Sequence, residues 1–471
     1  MNRIARREAL KRIGIGAGGA ALAAVSPPNT PVSGDSRRPN IVFLLTDDLR
    51  YDALGCMGNS IIRTPNIDAL ARDGVLFRNA YVTTPICCSS RASILTGQYV
   101  RRHAINDFST NFTDEQLNQT YPLIMRESGY FTGFVGKYGI GNTEETMPAD
   151  RYDAWYGFPG QNKYEHTDDD GNYRHLTSIL SDQSVDFIET CPDDRPFCLS
   201  VSFKAPHVQD GDPRQFIPDP AYDGLYIDDE IPEPKTATRG HFEALPDFLQ
   251  ESEARVRWKL RFATPEMYQR SVKNYYRLMT GVDDTVGRIM TALRMRGFSD
   301  NTVVIFTSDN GFYLGEHGLA GKWFGHEESV RVPMIIHDPR LPKDLRGRTR
   351  EEAALNIDIA PTILSLAGVP VPGVMQGRDL SPVVNGESPV WRSDFLFEHH
   401  FDQHPLIAKS EGVAGGRYKY IVYYEREPVY EELYDLMQDP GEERNVARES
   451  NYRPILERMR IRLAELKREA E

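Results

Sequence analysis

Little in this chain serves cross-linking: five cysteines among 471 residues, an odd number at irregular spacing, make no disulfide framework. Stability must therefore come from burial. Cys191 and Cys198 could pair, but free thiols flanking a buried strand are the simpler reading. Lysine and arginine do not cluster beyond the extreme N-terminus, and the net charge is -13. A nucleic-acid partner is excluded, because phosphate binding needs a basic face. An anionic substrate would need a local cationic pocket. No Cys/His cluster has zinc spacing. Past residue 25 no run is long and apolar enough to span a membrane, and no internal repeat is present. What remains, 40% hydrophobic and 26% charged, is an ordinary globular composition, long enough for one large domain and a smaller one.

The first 25 residues read as an export signal. Arg3, Arg6, Arg7, Lys11 and Arg12 form a basic region, Ile13 to Val25 is a short apolar run, and Ala21-Leu22-Ala23 offers a small-residue cleavage site. Arg6-Arg7 before Glu8-Ala9-Leu10-Lys11 has the twin-arginine form. A polar, Pro-containing spacer follows over residues 26–38. The mature chain is expected outside the bacterial cytoplasm, in the periplasm or beyond it.

From residue 39 the pattern changes to short apolar runs separated by helical periodicity. Ile41 to Thr46, Phe131 to Gly136, Phe197 to Phe203, Val303 to Thr307 and Pro333 to Ile336 are apolar on both alternating faces, as strands of a mostly parallel sheet are. Glu266 to Arg296 and Asn356 to Ala367 read as helices, with Tyr275, Tyr276, Met279 and Val282 turned to the core. The expected fold is α/β, a mostly parallel mixed sheet between helices over residues 39–381. Residues 382–471 form a smaller α+β subdomain: Tyr418 to Tyr424 as an antiparallel strand, then a strand, turn and helix start in ELYDLMQDPGEERNVA, then an amphipathic helix over Tyr452 to Lys467.

Ligands in such sheets collect at the carboxyl ends of the strands, and two of these ends carry acids: Asp47-Asp48 and Asp309-Asn310. Those side chains could cap the following helices. They could equally hold a hard cation, since an all-oxygen donor set suits Ca²⁺ or Mg²⁺ and not zinc. One Ca²⁺ is the preferred reading. A third feature is TTPICCSSRASILTG, which puts Cys87 three residues ahead of Ser90-Arg91 at a helix start.

The motifs PNIVFLLTDDLRYDALGC, CCSSR, GFVGKYG, KAPH, SDNGFYLGEHGLAGKW and ELYDLMQDPGEERN resemble, in that order, those of the formylglycine-dependent (type I) sulfatases of the alkaline phosphatase-like superfamily. The doubled cysteine and GKY variant are similar to the glucosamine-6-sulfatase branch. The resemblance implies that Cys87 is oxidised to formylglycine by a maturation enzyme and becomes the nucleophile. Asp47, Asp48, Asp309, Asn310 and modified Cys87 would hold the metal. Arg91 would hold the aldehyde hydrate, Lys137 and Lys322 would meet the sulfate, and His207 would donate to the leaving oxygen. Ser89 stands where the family usually has Pro or Ala, and Gly139 where most relatives have His. The base that releases sulfate is therefore unassigned. His103 is its candidate, with Asn106, His317 and His326 as candidate substrate contacts. The substrate expected is a sulfated carbohydrate. Two other readings are a phosphodiester or phosphonate hydrolase with the same nucleophile, and a non-catalytic binder of sulfated glycans.

Overall fold

The computed structural model describes residues 38–471 apart from Ser388; the expected signal and residues 26–37 of the spacer lie outside the described residues. Strand Asn40–Asp47 is buried along its whole length. Its odd residues Ile41, Phe43 and Leu45 enter one core and Val42 and Leu44 the other, which is why the run is continuously apolar. Strands Phe197–Pro206 and Thr302–Ser308 pair with it in parallel on either side. Beyond the first of these lie Phe131–Lys137 and Ala154–Phe158, also parallel. Arg331–His337 runs antiparallel to Thr302–Ser308 and to Val75–Tyr81, so the nine-stranded sheet is mixed but mostly parallel. One face is covered by helices Leu176–Thr190 and Pro265–Met295, where the four core positions read from the sequence are buried. The other face packs on helices Cys87–Thr96 and Ile359–Leu366.

The segment read as a helix from Asn356 starts with a 3-10 turn, and its α-helix begins only at Ile359. Asn356 is committed elsewhere: its amide oxygen accepts from the Thr83 backbone and its NH₂ donates to Ser90 Oγ at 2.9 Å. Four antiparallel strands between Phe395 and Asp435 make the second sheet. Phe395, Phe397, Ile421 and Tyr423 on one of its faces join the core of the large sheet. Leu396, Val413, Val422 and Leu433 on the other pack on Leu456, Met459, Leu463 and Leu466 of the terminal helix Arg453–Ala470. Residue 382, where the sequence suggests a boundary, falls inside the short helix Ser381–Val384. The helix start expected at Asn445-Val446-Ala447 does not form. Asn445 Oδ1 instead accepts from the Leu433 and Ala447 backbone, and the chain reaches its helix at Arg453. All five thiols are free, and no described helix is long and apolar enough to cross a membrane.

Candidate active site

Four adjacent parallel strands end on one side of the sheet, and each delivers a polar side chain there. Asn40–Asp47 ends at Asp47 and Asp48, Thr302–Ser308 runs into Asp309 and Asn310, Phe131–Lys137 ends at Lys137, and Phe197–Pro206 runs into His207. Helix Cys87–Thr96 comes in from the side, with all ten residues buried. It presents Cys87 in its first turn, where free backbone N–H groups favour negative charge, and Arg91 one turn later. Lys322 arrives from the loop after Gly321.

Three buried carboxylates, Asp47, Asp48 and Asp309, face three buried cations, Arg91, Lys137 and Lys322. Lys137 Nζ donates to Asp47 Oδ2, and Lys322 Nζ to Asp48 Oδ1. Arg91 Nε donates to Asp309 Oδ2 at 2.8 Å and its Nη1 to the Lys137 carbonyl at 2.8 Å. Asp48 sits at φ +70°, a left-handed conformation that a non-glycine residue keeps only when its surroundings over-determine it. They do: its N–H donates to Asp309 Oδ1, its Oδ1 accepts from Asn310 Nδ2 at 2.6 Å, and its carbonyl accepts from Tyr275 OH at 2.8 Å. Burial pushes the Asp47 carboxyl up, but Lys137, then His207, Lys322 and Arg91, overcome it and hold it well below the usual carboxylate range. Burial followed by the Asp47 charge raises Asp309.

After all these contacts Asp47 Oδ1 and Asn310 Oδ1 remain buried with no hydrogen-bond partner among the described residues. Two oxygen lone-pair donors left over in a dry, acid-lined corner are costly unless something binds them. Carboxylate oxygens of Asp47 and Asp48 and a ring nitrogen of His207 also lie within 4.8 Å of one another. The oxygen-rich set fits a hard divalent cation.

Cys87, Lys137, His207 and Lys322 line one cavity of about 360 Å³. Burial raises the Cys87 thiol, and Lys137 and Lys322 pull it back. Neighbouring Cys88 is buried, its sulfur 3.8 Å from Ser89 Oγ, and neither residue lines that cavity. Burial lowers His207 to about 4, with Asp48 opposing. Its Nδ1–H donates to the Val208 carbonyl at 2.7 Å, and its Nε2 lies 3.5 Å from Asp48 Oδ2 and 3.3 Å from Gln161 Nε2. Gly139 is at φ +78°, and a Cβ there would fall 2.5 Å from Arg91 Cδ. The arginine that holds Asp309 takes the room a histidine at 139 would need.

Four expected contacts are not brought to this cavity. His103 is interior: Nε2 lies 3.0 Å from Ser93 Oγ and Nδ1 accepts from the Ile105 N–H, and burial lowers it to about 3. Asn106 is half-buried on the loop that follows and does not line the cavity. His317 stacks on His326 with ring centroids 5.4 Å apart. His326 in turn meets Tyr313 OH, Tyr434 OH and Glu432. A histidine with both nitrogens satisfied internally, as in His103 and His326, looks in a sequence the same as one facing a ligand. Conversely, Gln161, Asp210, Glu253, Arg257, Trp323 and His404 line the cavity without having been singled out. They sit on loops and on the short helix Glu253–Arg261, which carry no periodic signal.

Comparison with known proteins completes the picture. The family model described as Sulfatase matches residues 39–369, and the model described as N-sulphoglucosamine sulphohydrolase, C-terminal, matches residues 315–469. An N-acetylglucosamine-6-O-sulfatase of Bacteroides thetaiotaomicron is 30% identical over 92% of this chain and 87% of its own length. A solved structure of a protein in complex with its substrate D-glucosamine-2-N,6-O-disulfate superposes with TM-score 0.81 at 27% identity, covering 92% of this chain and 98% of that one. The phosphonate monoester hydrolase of Agrobacterium radiobacter shares the fold, with TM-score 0.75 at 23% identity over 92% of this chain and 96% of that one.

Proposed function

Because this chain belongs to the sulfatase family and is a sulfuric ester hydrolase, we propose that it removes sulfate from a sulfated carbohydrate, at a site made by Cys87 and the acids of two strand ends. The observation that carries the reading is convergence. Six residues spread over the 275 positions from Asp47 to Lys322 (Asp47, Cys87, Lys137, His207, Asp309, Lys322) meet around one corner in which, among the described residues, Asp47 Oδ1 and Asn310 Oδ1 lack hydrogen-bond partners. Formylglycine made from Cys87 would supply the attacking hydroxyl as its hydrate, and a divalent cation, Ca²⁺ by preference, held by Asp47, Asp48, Asp309 and Asn310 would acidify it.

The remaining steps belong to the chain's own side chains. Lys137 and Lys322 neutralise the sulfate oxygens, and fixed charges on such buried side chains act strongly on charge that shifts as the S–O bond breaks. Arg91, one turn after Cys87 and tied to Asp309 and the Lys137 carbonyl, fixes the helix that carries Cys87 against those two strand ends. His207 holds Nδ1–H on the Val208 carbonyl, which aims Nε2 at the cavity. Burial disfavours its protonated form, whereas an anionic sulfate ester placed beside it favours that form, so the proton arrives with the substrate and is given to the leaving oxygen. Gly139 leaves no imidazole at the family's usual second position. The twin-arginine segment at residues 1–25 suits export, and a maturation enzyme in the host would oxidise Cys87.

Two measurements test the reading. Protein from a host able to make formylglycine should hydrolyse 4-nitrophenyl sulfate or a defined sugar sulfate, more efficiently than an aryl phosphodiester. Its Cys87 peptide should weigh about 18 Da less than the thiol form. An unmodified thiol with no turnover supports the glycan-binding alternative, and a preference for the phosphodiester supports the phosphorus-hydrolase one.

A further inference from the structure

Beyond the sulfate-binding end, the cavity carries a second constellation that the chemistry at sulfur does not use. Arg257, on helix Glu253–Arg261, donates from Nε to Glu253 Oε1 and from Nη1 to Asp210 Oδ1, both at 2.7 Å. Each carboxylate spends one oxygen on this bridge and keeps the other. The Asp210 side chain is half exposed, and among the described residues Glu253 Oε2 has only His404 Nε2, 3.7 Å away. Two further polar atoms are buried and unpartnered, Gln161 Oε1 and His404 Nδ1. All five residues line the cavity, and so does Trp323, whose ring centre lies 5.4 Å from the Arg257 guanidinium carbon.

The acids are not a general attraction for cations. Arg257, and Arg261 at 3.7 Å from Asp210, balance their charge. Nor is it a closed pair: among the described residues Asp210 Oδ2 and Glu253 Oε2 accept no hydrogen bond, and both residues line the cavity. Carboxylate acceptors beside guanidinium and imidazole donors, with an indole in the same lining, match a pyranose ring: hydroxyls can both give to carboxylate and take from guanidinium or imidazole, while the C–H face packs on an aromatic surface. We propose that Asp210, Glu253 and Arg257 are specificity-determining residues that read neighbouring free hydroxyls of a sugar ring, and hence that the substrate is a sulfated ring at a chain end. A glycosidic bond at either hydroxyl would remove a donor that these acceptors require. The inference rests on the sulfatase reading above and adds the half of the substrate that is not sulfate.

The experiment compares kcat/KM for N-acetylglucosamine 6-sulfate and galactose 6-sulfate with that for 4-nitrophenyl sulfate, which has the ester but no ring hydroxyls. In D210N, E253Q and R257M the ratio of sugar to aryl kcat/KM should fall roughly tenfold or more, mostly through KM, as loss of charge-assisted hydrogen bonds implies. Aryl turnover reports folding in the same samples. Equal losses on sugar and aryl ester, or no loss on either, would overturn the proposal. Wild-type protein that cleaves the aryl ester but neither sugar sulfate overturns it while leaving the sulfatase reading intact. Wild-type protein inactive on all three sinks both.

Discussion

Around Asp47 and around Lys419 the molecule buries carboxylates against lysine, arginine and histidine, yet the two clusters are closed to different degrees. At Lys419, on strand Tyr418–Tyr423, Nζ lies 2.6 Å from Glu327 Oε1 and 2.8 Å from Glu442 Oε1. Glu327 Oε2 is 3.4 Å from Arg331, and Glu432 is 3.3 Å from His326. The three elements so joined are the small sheet, the turn after it and the segment that carries Lys322. At Asp47, cations equal anions in number, and Lys137 and Lys322, which pair with Asp47 and Asp48, line an open cavity. The lesson is that buried charge alone does not mark a reactive site. Nor does an unpartnered atom, since Glu328 Oε2 is one in the junction; open space beside the charge does, whereas charge paired inside a packed junction holds its elements together.

The comparison breaks first at Cys87. Replacing it with alanine should lower turnover by more than about 10⁴-fold, as removal of a nucleophile does, with the unfolding midpoint kept. Cys88→Ala, away from the cavity, should change turnover little. Activity lost in the second variant and kept in the first would transfer the nucleophile to Cys88. Lys137→Ala comes next. It removes one fixed charge at the sulfate end, so kcat should fall by about 10²- to 10³-fold, and a kcat within a few-fold of wild type would make Lys137 a structural partner of Asp47 only.

How far the sequence could distinguish the two clusters depends on what each residue is bonded to. The strands were legible because burial on both faces of a parallel sheet leaves unbroken apolar runs, as in Ile41 to Leu45. Asp47 and Asp309 were legible because acids directly after such runs fall where the fold places ligands. His317 and His326, 7 and 16 residues past Asn310, belong to the Lys419 junction and not to the cavity, and nothing in GEHGLAGKWFGHEE encodes that Tyr313 and Glu432 take up His326. Asp210 and Arg257 were illegible for the complementary reason. Their pairing at 2.7 Å spans 47 residues and joins a loop to a helix, so no local pattern announces it.

Lys419 sharpens the contrast through stability. Lys419→Met would strand Glu327 and Glu442 as buried carboxylates with one cation fewer. Breaking a buried pair in this way costs about 3–5 kcal/mol, read as a lower denaturant midpoint with kcat of the folded enzyme unchanged. A collapse of kcat with the midpoint kept would place Lys419 in the catalytic machinery.

The smallest effect concerns His326 and depends on pH. Burial lowers this imidazole, but the Glu432 hydrogen bond and charge, then Glu442 and Glu328, more than compensate and raise it above its ordinary value. Tyr313 and Tyr434 hydroxyls also contact the ring, and His317, lowered to about 3 by burial first, stacks on it as a neutral group. A proton held more tightly in the folded than in the unfolded chain stabilises the fold fully below the unfolded pKa, near 6.5, and that gain is lost as pH rises through the folded pKa. Every tenfold gain in proton affinity corresponds to about 1.4 kcal/mol. Wild type should therefore exceed His326→Gln in unfolding free energy by more at about pH 6 than at about pH 9. A margin that instead widens with rising pH would mean that His326 is buried neutral, and that Glu432 takes its proton or its partner from elsewhere in the junction.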